Sequence, residues 1–265
     1  MADIVLQTTR ILARTEGGVG WLTINQPERR NAVSMEMWQG IGDAATAFER
    51  DATVRAVVIH GAGGKAFASG ADISEFETAR SNAEQQAHYG RVAQAGRGAL
   101  QALTKPLIAM IEGYCVGGGL ALALTADLRI ATPASRFAIP AAKLGLGYEY
   151  DGLAALARLV GPSTAKDMLF SGRMLEADEA LRVGLINRVA EDVQAVVADY
   201  AAVVAANAPL TVRAAKAAMR VFERYSDDPA AAEIAVMIRQ CFDSDDYREG
   251  RRAFMEKRKP TFLGR

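Results

Sequence analysis

Residues 113–119 read Gly-Tyr-Cys-Val-Gly-Gly-Gly and follow the apolar run 106–111. Such a run, ended by glycines and followed by apolar residues, is typical of a buried strand, a tight turn and a helix. Residues 66–72, Ala-Phe-Ala-Ser-Gly-Ala-Asp, repeat this design after a second apolar run at 54–60. Small residues let main-chain N–H groups approach a ligand, and two N–H groups aimed at one carbonyl oxygen form an oxyanion hole. Either turn alone is explained by tight packing, whereas the pair favours a functional site.

Strand and helix patterns alternate through the first 191 residues. Alternating or continuous apolar residues predict strands over residues 19–24, 54–60, 106–111, 127–131, 136–139 and 185–189. Apolar residues at helical spacing predict helices over 35–50 with Ser34 as N-cap, 82–103, 153–160 with Asp151 as N-cap, and 176–183. This alternation favours an α/β fold.

The pattern changes after residue 192. Ala-rich segments separated by breaks rich in Pro or Asp predict helices over residues 192–207, 211–225, 229–244 and 247–259. No strand pattern follows residue 189. We therefore expect a core made of residues 1–191 and a helical C-terminal region made of residues 192–265.

Composition and charge exclude several classes of protein. Half of the 265 residues are apolar and 23% are charged, which excludes a disordered or fibrous chain. Lys and Arg together number 31, as do Asp and Glu, so the formal net charge is zero. Without a net field to attract nucleic acid or an anionic membrane, we expect neither as a partner.

Targeting and metal signals are also missing from the sequence. Residues 1–25 lack the basic and apolar segments of a secretory signal. The apolar stretch 106–126 is interrupted by Glu112 and reads as strand, turn and helix rather than a membrane span. Cys115, Cys241 and two histidines are too few for a Cys/His zinc site. We expect a cytoplasmic protein with no metal site.

Further segments extend the pattern of the two turns. Residues 25–32 contain Asn-Gln-Pro and Asn-Ala, residues 172–189 contain Gly-Arg and Gly-Leu-Ile-Asn-Arg-Val, and residues 249–258 read Glu-Gly-Arg-Arg-Ala-Phe-Met-Glu-Lys-Arg. Together with residues 66–73 and 113–119, these motifs resemble the enoyl-CoA hydratase/isomerase (crotonase) superfamily. The matches follow one another along nearly the whole chain.

The resemblance implies a fold, an assembly and a ligand. The fold is a crotonase-like spiral of ββα units followed by a helical C-terminal trimerisation region, assembled as a homotrimer or a dimer of trimers. The ligand is an acyl-CoA thioester, which is the substrate, and no other cofactor is implied. The oxyanion donors of the superfamily fall on the main-chain N–H groups of Ala68 and Gly118.

The resemblance also implies which residues contact CoA. The positions are Ala66, Ala71, Asp72, Ile73, Phe254 and Lys257. Three consecutive positions, 71–73, correspond to the stretch that contacts adenine, Phe254 lines the pocket and Lys257 reaches phosphate. Basic residues around Lys257, among them Arg251, form a cluster suited to phosphates, but we interpret them as a solvated helix face.

Two positions depart from the pattern of the hydratases. Hydration of an enoyl thioester needs groups that hold water and transfer a proton, and the hydratases use two glutamates. Their positions fall on Ala121 and Ala141. Since alanine transfers no proton, the resemblance implies that two-glutamate hydration cannot occur here, and isomerases that rely on the second glutamate are disfavoured too.

The loop 145–152 supplies other polar groups. Glu149 falls where several members of the superfamily carry a functional aspartate, and Tyr148 falls where a methylmalonyl-CoA decarboxylase carries its tyrosine. We expect Glu149, helped by Tyr148, to act as the acid and base. His88 and His60 are interpreted as structural residues.

Three functions remain open from the sequence. The first is an acyl-CoA enzyme that stabilises a thioester enolate, with proton chemistry from Glu149. The second is decarboxylation of a malonyl-type thioester, although Ala71 replaces a histidine of that decarboxylase and Glu149 would repel a substrate carboxylate. The third is a non-catalytic acyl-CoA binder.

Overall fold

Strands and helices alternate along the chain, of which the computed structural model describes residues 1–72, 83–148, 150–223, 239 and 242–260. The strands are β1 (Ala2–Ile4), β2 (Ile11–Glu16), β3 (Val19–Ile24), β4 (Ala56–Gly61), β5 (Ala66–Ala68), β6 (Leu107–Ile111), β7 (Tyr114–Val116), β8 (Leu128–Ala131), β9 (Arg136–Ala138), β10 (Leu175–Glu176) and β11 (Arg188–Val189). The α-helices are α1 (Met35–Arg50), α2 (Ala83–Ala102), α3 (Gly118–Ala123), α4 (Tyr150–Ser171), α5 (Ala177–Arg182), α6 (Val193–Ala206), α7 (Pro209–Glu223) and α8 (Asp245–Met255).

The strands form two sheets. A seven-stranded sheet has the order β1-β2-β3-β4-β6-β8-β11, and a four-stranded sheet has the order β10-β9-β7-β5. From β3 to β11 every pair in the larger sheet is parallel. The pairs β5–β7 and β7–β9 in the smaller sheet are also parallel.

The chain visits the two sheets in turn. Each of β4, β6 and β8 in the larger sheet is followed along the chain by β5, β7 or β9 in the smaller sheet. A helix follows β5 and β7, and a short 3₁₀ turn and then α4 follow β9. This repeat is the spiral of ββα units, so the predicted α/β fold class is confirmed.

Helix α1 is held between the larger sheet and α2. Its N-cap is Ser34, whose hydroxyl accepts a hydrogen bond from the Met37 N–H, as predicted. Trp38 and Phe48 are buried in the core beneath it. A Cβ on Gly96 of α2 would lie 2.6 Å from the carbonyl oxygen of Trp38, so glycine allows the two helices to touch. This contact fixes α2, which forms one wall of the candidate site.

Two local predictions are wrong. Helix α4 already begins at Tyr150, so Asp151 lies in its first turn and is not the N-cap of a helix at 153–160. The helix also continues past a break at Gly161 (φ 77°), because glycine adopts this conformation and Pro162 can begin a new helical turn. The strand predicted at 185–189 is reduced to β11, because the N–H groups of Leu185 and Ile186 bond to the carbonyl oxygen of Ala180.

Helix α6 packs on the side of the larger sheet opposite α1. Val193 and Val197 of α6 join Val58 and Ile108 in a second apolar cluster. On α7, Lys216 donates from Nζ to the Asp127 carboxylate and to the Lys105 carbonyl oxygen, each at 2.7 Å. The division into residues 1–191 and 192–265 stays a prediction, and most of the helix predicted at 229–244 lies outside the described residues.

Within the described ranges, no single helix is long and apolar enough to cross a membrane. One pair of helices, Val193–Ala206 and Pro209–Arg220, meets the length and composition required only when both are counted together across a 107° bend.

Candidate active site

The two glycine-rich turns meet at one edge of the smaller sheet. Strands β5 and β7 are parallel neighbours, so the turns at their carboxyl ends lie side by side. A Cβ on Gly119 would lie 2.0 Å from the carbonyl oxygen of Ala68. A Cβ on Gly118 would lie 3.6 Å from the Ala71 nitrogen. Only glycine at 119 allows this approach, which brings both sequence-predicted donor positions, Ala68 and Gly118, into one place.

The second turn presents a main-chain N–H group. Gly117 has φ 56° and ψ −120°, a conformation that favours glycine. Its N–H donates to the Ala138 carbonyl oxygen at 2.8 Å, which holds the turn against β9. Gly118 is the first residue of α3, so its N–H has no acceptor within that helix.

A cavity of about 910 Å³ opens beside the turns. Gly117 and Gly118 line it from the second turn, and Ser69, Gly70 and Ala71 line it from the first. Helices α2, α4 and α8 complete its wall. The space is within the size range of sites for small ligands.

Ala68 and Ala66 lie behind this wall. Both are buried, and neither lines the cavity. The carbonyl oxygen of Ala66 accepts a hydrogen bond from Asn31 Nδ2 at 2.7 Å, which braces β5 from below. A main-chain donor needs only its N–H group to reach a ligand, so the roles of Ala68 in the oxyanion hole and of Ala66 in CoA binding stay predictions.

Two alanines, which the resemblance predicts to stand where the hydratases carry glutamates, line the cavity. Ala121 lies on α3 one turn after Gly118, and Ala141 begins the 3₁₀ turn Ala141–Leu144 after β9. Both residues line the cavity. Their methyl groups offer no proton and no hydrogen bond, so the wall that they form is apolar.

Tyr148 connects its loop to the second turn. Its hydroxyl group donates a hydrogen bond to the carbonyl oxygen of Gly117 at 3.1 Å, and its side chain lines the cavity. Glu149 lies outside the described residues, so its predicted role as acid and base is not tested. Asp151, two residues further on, also lines the cavity.

The side chain of Asp72 has a structural role. Its carboxylate accepts hydrogen bonds from Arg29 at 2.9 and 3.2 Å and from Gln26 Nε2 at 3.2 Å. Its N–H donates to the Val33 carbonyl oxygen. These contacts tie the end of the first turn to the segment before α1. Ala71 and Asp72 line the cavity, whereas Ile73 lies outside the described residues.

Two residues near the C-terminus, Phe254 and Lys257, are predicted to contact CoA, and only Phe254 lines the cavity. Phe254 lines the cavity and is half-exposed. Lys257 follows α8 with φ 54°, is exposed and does not line the cavity. Its predicted contact with phosphate therefore requires a ligand that extends out of the cavity, and that contact stays a prediction.

Several titratable side chains are held in structural positions. Burial lowers the pKa of His60, whose Nε2 lies 2.9 Å from the Thr23 hydroxyl. Burial raises the pKa of the Cys115 thiol, a free cysteine that is completely buried, so it is no nucleophile. His88 is exposed on α2, and Tyr89 beside it donates to the Val33 carbonyl oxygen and accepts from Trp38 Nε1.

The sequence analysis did not predict the arginines of the cavity wall, which in the described part of the chain are Arg29, Arg30, Arg97 and Arg251. The Cζ atom of Arg97 on α2 lies 5.6 Å from the centroid of the Trp38 ring, and that of Arg251 on α8 lies 5.4 Å from the centroid of the Tyr247 ring. Both line the cavity. The interpretation of Arg251 as part of a solvated helix face is wrong, because helical spacing alone does not show which face packs inward. In the part of the chain that is described, no group of three or more His, Cys, Asp or Glu side chains could hold a metal ion.

Comparison with protein families and curated proteins finds matches along the whole chain. The family model described as enoyl-CoA hydratase/isomerase matches residues 14–265. A short-chain-enoyl-CoA hydratase from Clostridium acetobutylicum is 34% identical over 256 residues, which cover 96% of this chain and 97% of that protein. A crotonyl-CoA hydratase from Syntrophomonas wolfei is 35% identical over 257 residues, which cover 96% and 98%.

Solved structures share the same fold. An enoyl-CoA hydratase/carnithine racemase from Magnetospirillum magneticum superposes with a TM-score of 0.80 at 38% identity, covering 98% of this chain and 97% of that one. A methylmalonyl-CoA decarboxylase in complex with 2-nitronate-propionyl-CoA superposes with a TM-score of 0.88 at 29% identity, covering 97% and 99%.

Proposed function

The chain belongs to the enoyl-CoA hydratase/isomerase family, and from that premise we propose that it is an enzyme that stabilises the enolate of an acyl-CoA thioester. The observation that carries this proposal is the contact between the two glycine-rich turns, where Gly119 packs on the Ala68 carbonyl group. The N–H groups of Ala68 and Gly118 are the proposed oxyanion donors. Main-chain donors of this kind stabilise negative charge as it develops on a carbonyl oxygen.

Tyr148 supports one of these donors. The carbonyl group of Gly117 and the N–H group of Gly118 belong to the same peptide unit. A hydrogen bond from the Tyr148 hydroxyl to that carbonyl oxygen orients the peptide and polarises its N–H. We therefore assign Tyr148 a positioning role beside the proton-transferring group.

Proton transfer is assigned to Glu149. Ala121 and Ala141, which occupy the positions of the hydratase glutamates in the superfamily pattern, cannot supply it. Tyr148 and Asp151 on either side of Glu149 both line the cavity, which supports a carboxylate at the same wall. Addition of water, double-bond migration and thioester hydrolysis each need one group that removes or delivers a proton.

The proposed complex holds the CoA thioester as substrate and requires no other cofactor. Phe254 lines the cavity. Ala66, Ala71 and Asp72 lie on or beside the first turn, and we propose that these residues, Ile73 and Lys257 contact CoA. We further propose a homotrimer or a dimer of trimers formed by the C-terminal helices. Sedimentation equilibrium of the purified chain measures this directly, and a monomer would contradict it.

The test is a screen of CoA thioesters with products identified by mass. The purified chain is incubated with crotonyl-, dienoyl-, hydroxyacyl- and malonyl-type CoA esters. A gain of water or a shifted double bond supports the enolate proposal, whereas released CoA would show hydrolysis through a tetrahedral oxyanion held by the same donors. Binding of these thioesters without turnover of any of them would contradict it and would indicate a non-catalytic acyl-CoA binder.

Decarboxylation of a malonyl-type thioester is the second candidate. It is supported by the two methylmalonyl-CoA decarboxylase structures, with TM-scores of 0.88 and 0.84 at 29% and 28% identity. Loss of carbon dioxide leaves an enolate and places little demand on a base, so Ala121 and Ala141 would not hinder it. Release of carbon dioxide from malonyl- or methylmalonyl-CoA, with no turnover of crotonyl-CoA, would favour this candidate.

A further inference from the structure

Helix α8 is docked rigidly beside the candidate site. A Cβ on Gly250 would lie 2.4 Å from the carbonyl oxygen of Leu144, and a Cβ on Gly145 would lie 2.7 Å from that of Asp246. These two glycines let α8 touch the backbone of the 3₁₀ turn that begins at Ala141. The residue after Gly250 is Arg251, whose side chain enters the same cavity that Gly118 and Ala141 line.

Among the described residues, Arg251 is the arginine of α8 whose side chain has no acidic partner. Its Nε is buried and has no partner among the described residues. Other arginines of the same helix are paired: Arg248 with Asp245 at 2.7 Å and Arg252 with Glu249 at 2.6 Å. Nε itself is closed off, so a ligand in the cavity reaches the guanidinium group only through its Nη atoms. No acidic side chain among the described residues pairs with that group, and its charge in the cavity wall is therefore available to an anionic ligand.

The surroundings of Arg251 hold its guanidinium group in place. Its Cζ atom lies 5.4 Å from the centroid of the Tyr247 ring. Tyr247 is completely buried, and its ring packs edge-on against Phe242 with 5.0 Å between the ring centroids. Leu144, Phe242 and Phe254 are among the apolar residues that line the same cavity. A cation among apolar side chains interacts more strongly with an anion than a cation in water does.

We infer that the acyl group of the substrate thioester ends in a carboxylate, which Arg251 binds. This inference rests on the proposed acyl-CoA function and adds the substrate class. The two Nη groups of the guanidinium each direct one N–H outward along parallel lines, which matches the two oxygens of a carboxylate. The thioester lies at the glycine turns and its chain passes the apolar wall formed by Ala121 and Ala141. The far end of the chain then reaches Arg251.

The experiment compares dicarboxylic and monocarboxylic thioesters of equal chain length. Dissociation constants are measured by calorimetry for malonyl-, succinyl-, glutaryl- and adipyl-CoA and for propionyl-, butyryl-, pentanoyl- and hexanoyl-CoA. We expect the dicarboxylic thioester of best-fitting length to bind at least about 30-fold more tightly than its monocarboxylic partner. The length with the largest preference measures the distance from the thioester to Arg251.

Three variants assign the preference. R251M keeps the length of the side chain and removes the donors, so it should abolish the preference, whereas R251K should retain part of it. R248M makes the same change one turn earlier on the exposed face of α8 and should leave it unchanged. Thermal melts of all three confirm folding, and R251M should be at least as stable as the parent chain because it removes an unsatisfied donor.

The outcomes separate this inference from the proposed function. Equal binding of both series by the parent chain, or a preference that survives in R251M, overturns the inference and leaves the proposed function standing. A loss of affinity in R251M that is equal for free CoA and for every thioester also overturns it, since Arg251 would then bind a CoA phosphate. If no thioester binds at all, the proposed function itself is wrong.

Discussion

The hydroxyl group of Tyr148 donates a hydrogen bond to the carbonyl oxygen of Gly117 across 3.1 Å. This bond joins the loop that carries Glu149 to the peptide unit that presents the Gly118 N–H. The hydroxyl proton of Tyr148 is therefore engaged in a hydrogen bond to the backbone of the second turn and is not directed at a substrate. The relationship makes Tyr148 a positioning residue in the proposed mechanism.

Replacement of Tyr148 by Phe tests this role. We expect kcat to fall about tenfold, the effect of roughly 1.4 kcal/mol lost in the transition state, with little change in KM. The shape of the pH profile of kcat should stay the same, since Tyr148 transfers no proton. Steady-state kinetics on the thioester identified in the screen measures both, with Y150F as the matched control. Loss of one limb of the pH profile would show instead that Tyr148 is an acid or base.

The contact between Gly119 and Ala68 predicts a large cost for a single methyl group. In G119A the new Cβ would meet the Ala68 carbonyl oxygen at 2.0 Å, so the turns must separate. We expect the free energy of unfolding in urea to fall by about 2 kcal/mol or more and turnover to fall with it. G98A is the control, because its Cβ meets no atom within 4 Å. That helical change should raise stability by about 0.5–1 kcal/mol, and equal effects of the two changes would contradict the prediction.

Replacement of Glu149 by Gln removes the proposed acid and base while keeping the size of the side chain. We expect kcat to fall by about 10²–10⁴-fold, with binding of the thioester retained in calorimetry. E191Q, a substitution at an exposed position, should leave turnover unchanged. Unaltered turnover in E149Q on a true substrate would remove Glu149 from the mechanism.

His60 predicts a pH dependence of stability. Burial lowers the pKa of His60 in the folded protein, so the unfolded chain binds a proton more readily, with an ordinary pKa of about 6.5. The stabilisation is therefore complete above about pH 6.5 and is lost as the pH falls through the folded-state pKa. Urea titrations at pH 5, 6 and 7 measure it. H60Q should flatten the dependence, and H88Q, at an exposed position, should not; a flattened dependence in H88Q alone would contradict this assignment.

Local patterns were sufficient for much of the fold. The alternation at residues 19–24 and the helix that starts after Ser34 appear where they were predicted. Both depend on residues close in sequence, namely on the period of apolar side chains and on the hydrogen bond from the Met37 N–H to the Ser34 hydroxyl. The failures at Asp151 and at 185–189 are also instructive. There, contacts from outside the segment, such as the Ala180 carbonyl oxygen that binds Leu185 and Ile186, decided the backbone.

The candidate site also combines features that local patterns predict with features that depend on contacts from other elements. Small residues at 66–72 and 113–119 were enough to predict two close-packed turns and, with the other motifs, the family. The prediction of a solvated face for Arg251 is wrong, because the side of α8 that packs inward is set by the contact of Gly250 with Leu144 on another element. No spacing within residues 249–258 contains that information.

The amino-acid pattern alone was enough to predict the α/β class, the order of the elements, the two glycine turns and the membership in the enoyl-CoA hydratase/isomerase family. Those features depend on backbone conformation and on residues near one another along the chain. Three features depend on packing in three dimensions: the bond from Tyr148 to Gly117, the contact of the Asp72 carboxylate with Arg29, and the position of Arg251 in the cavity wall with no acidic partner among the described residues. These contacts join residues far apart in sequence, and their side-chain directions are set by packing, which no local pattern records.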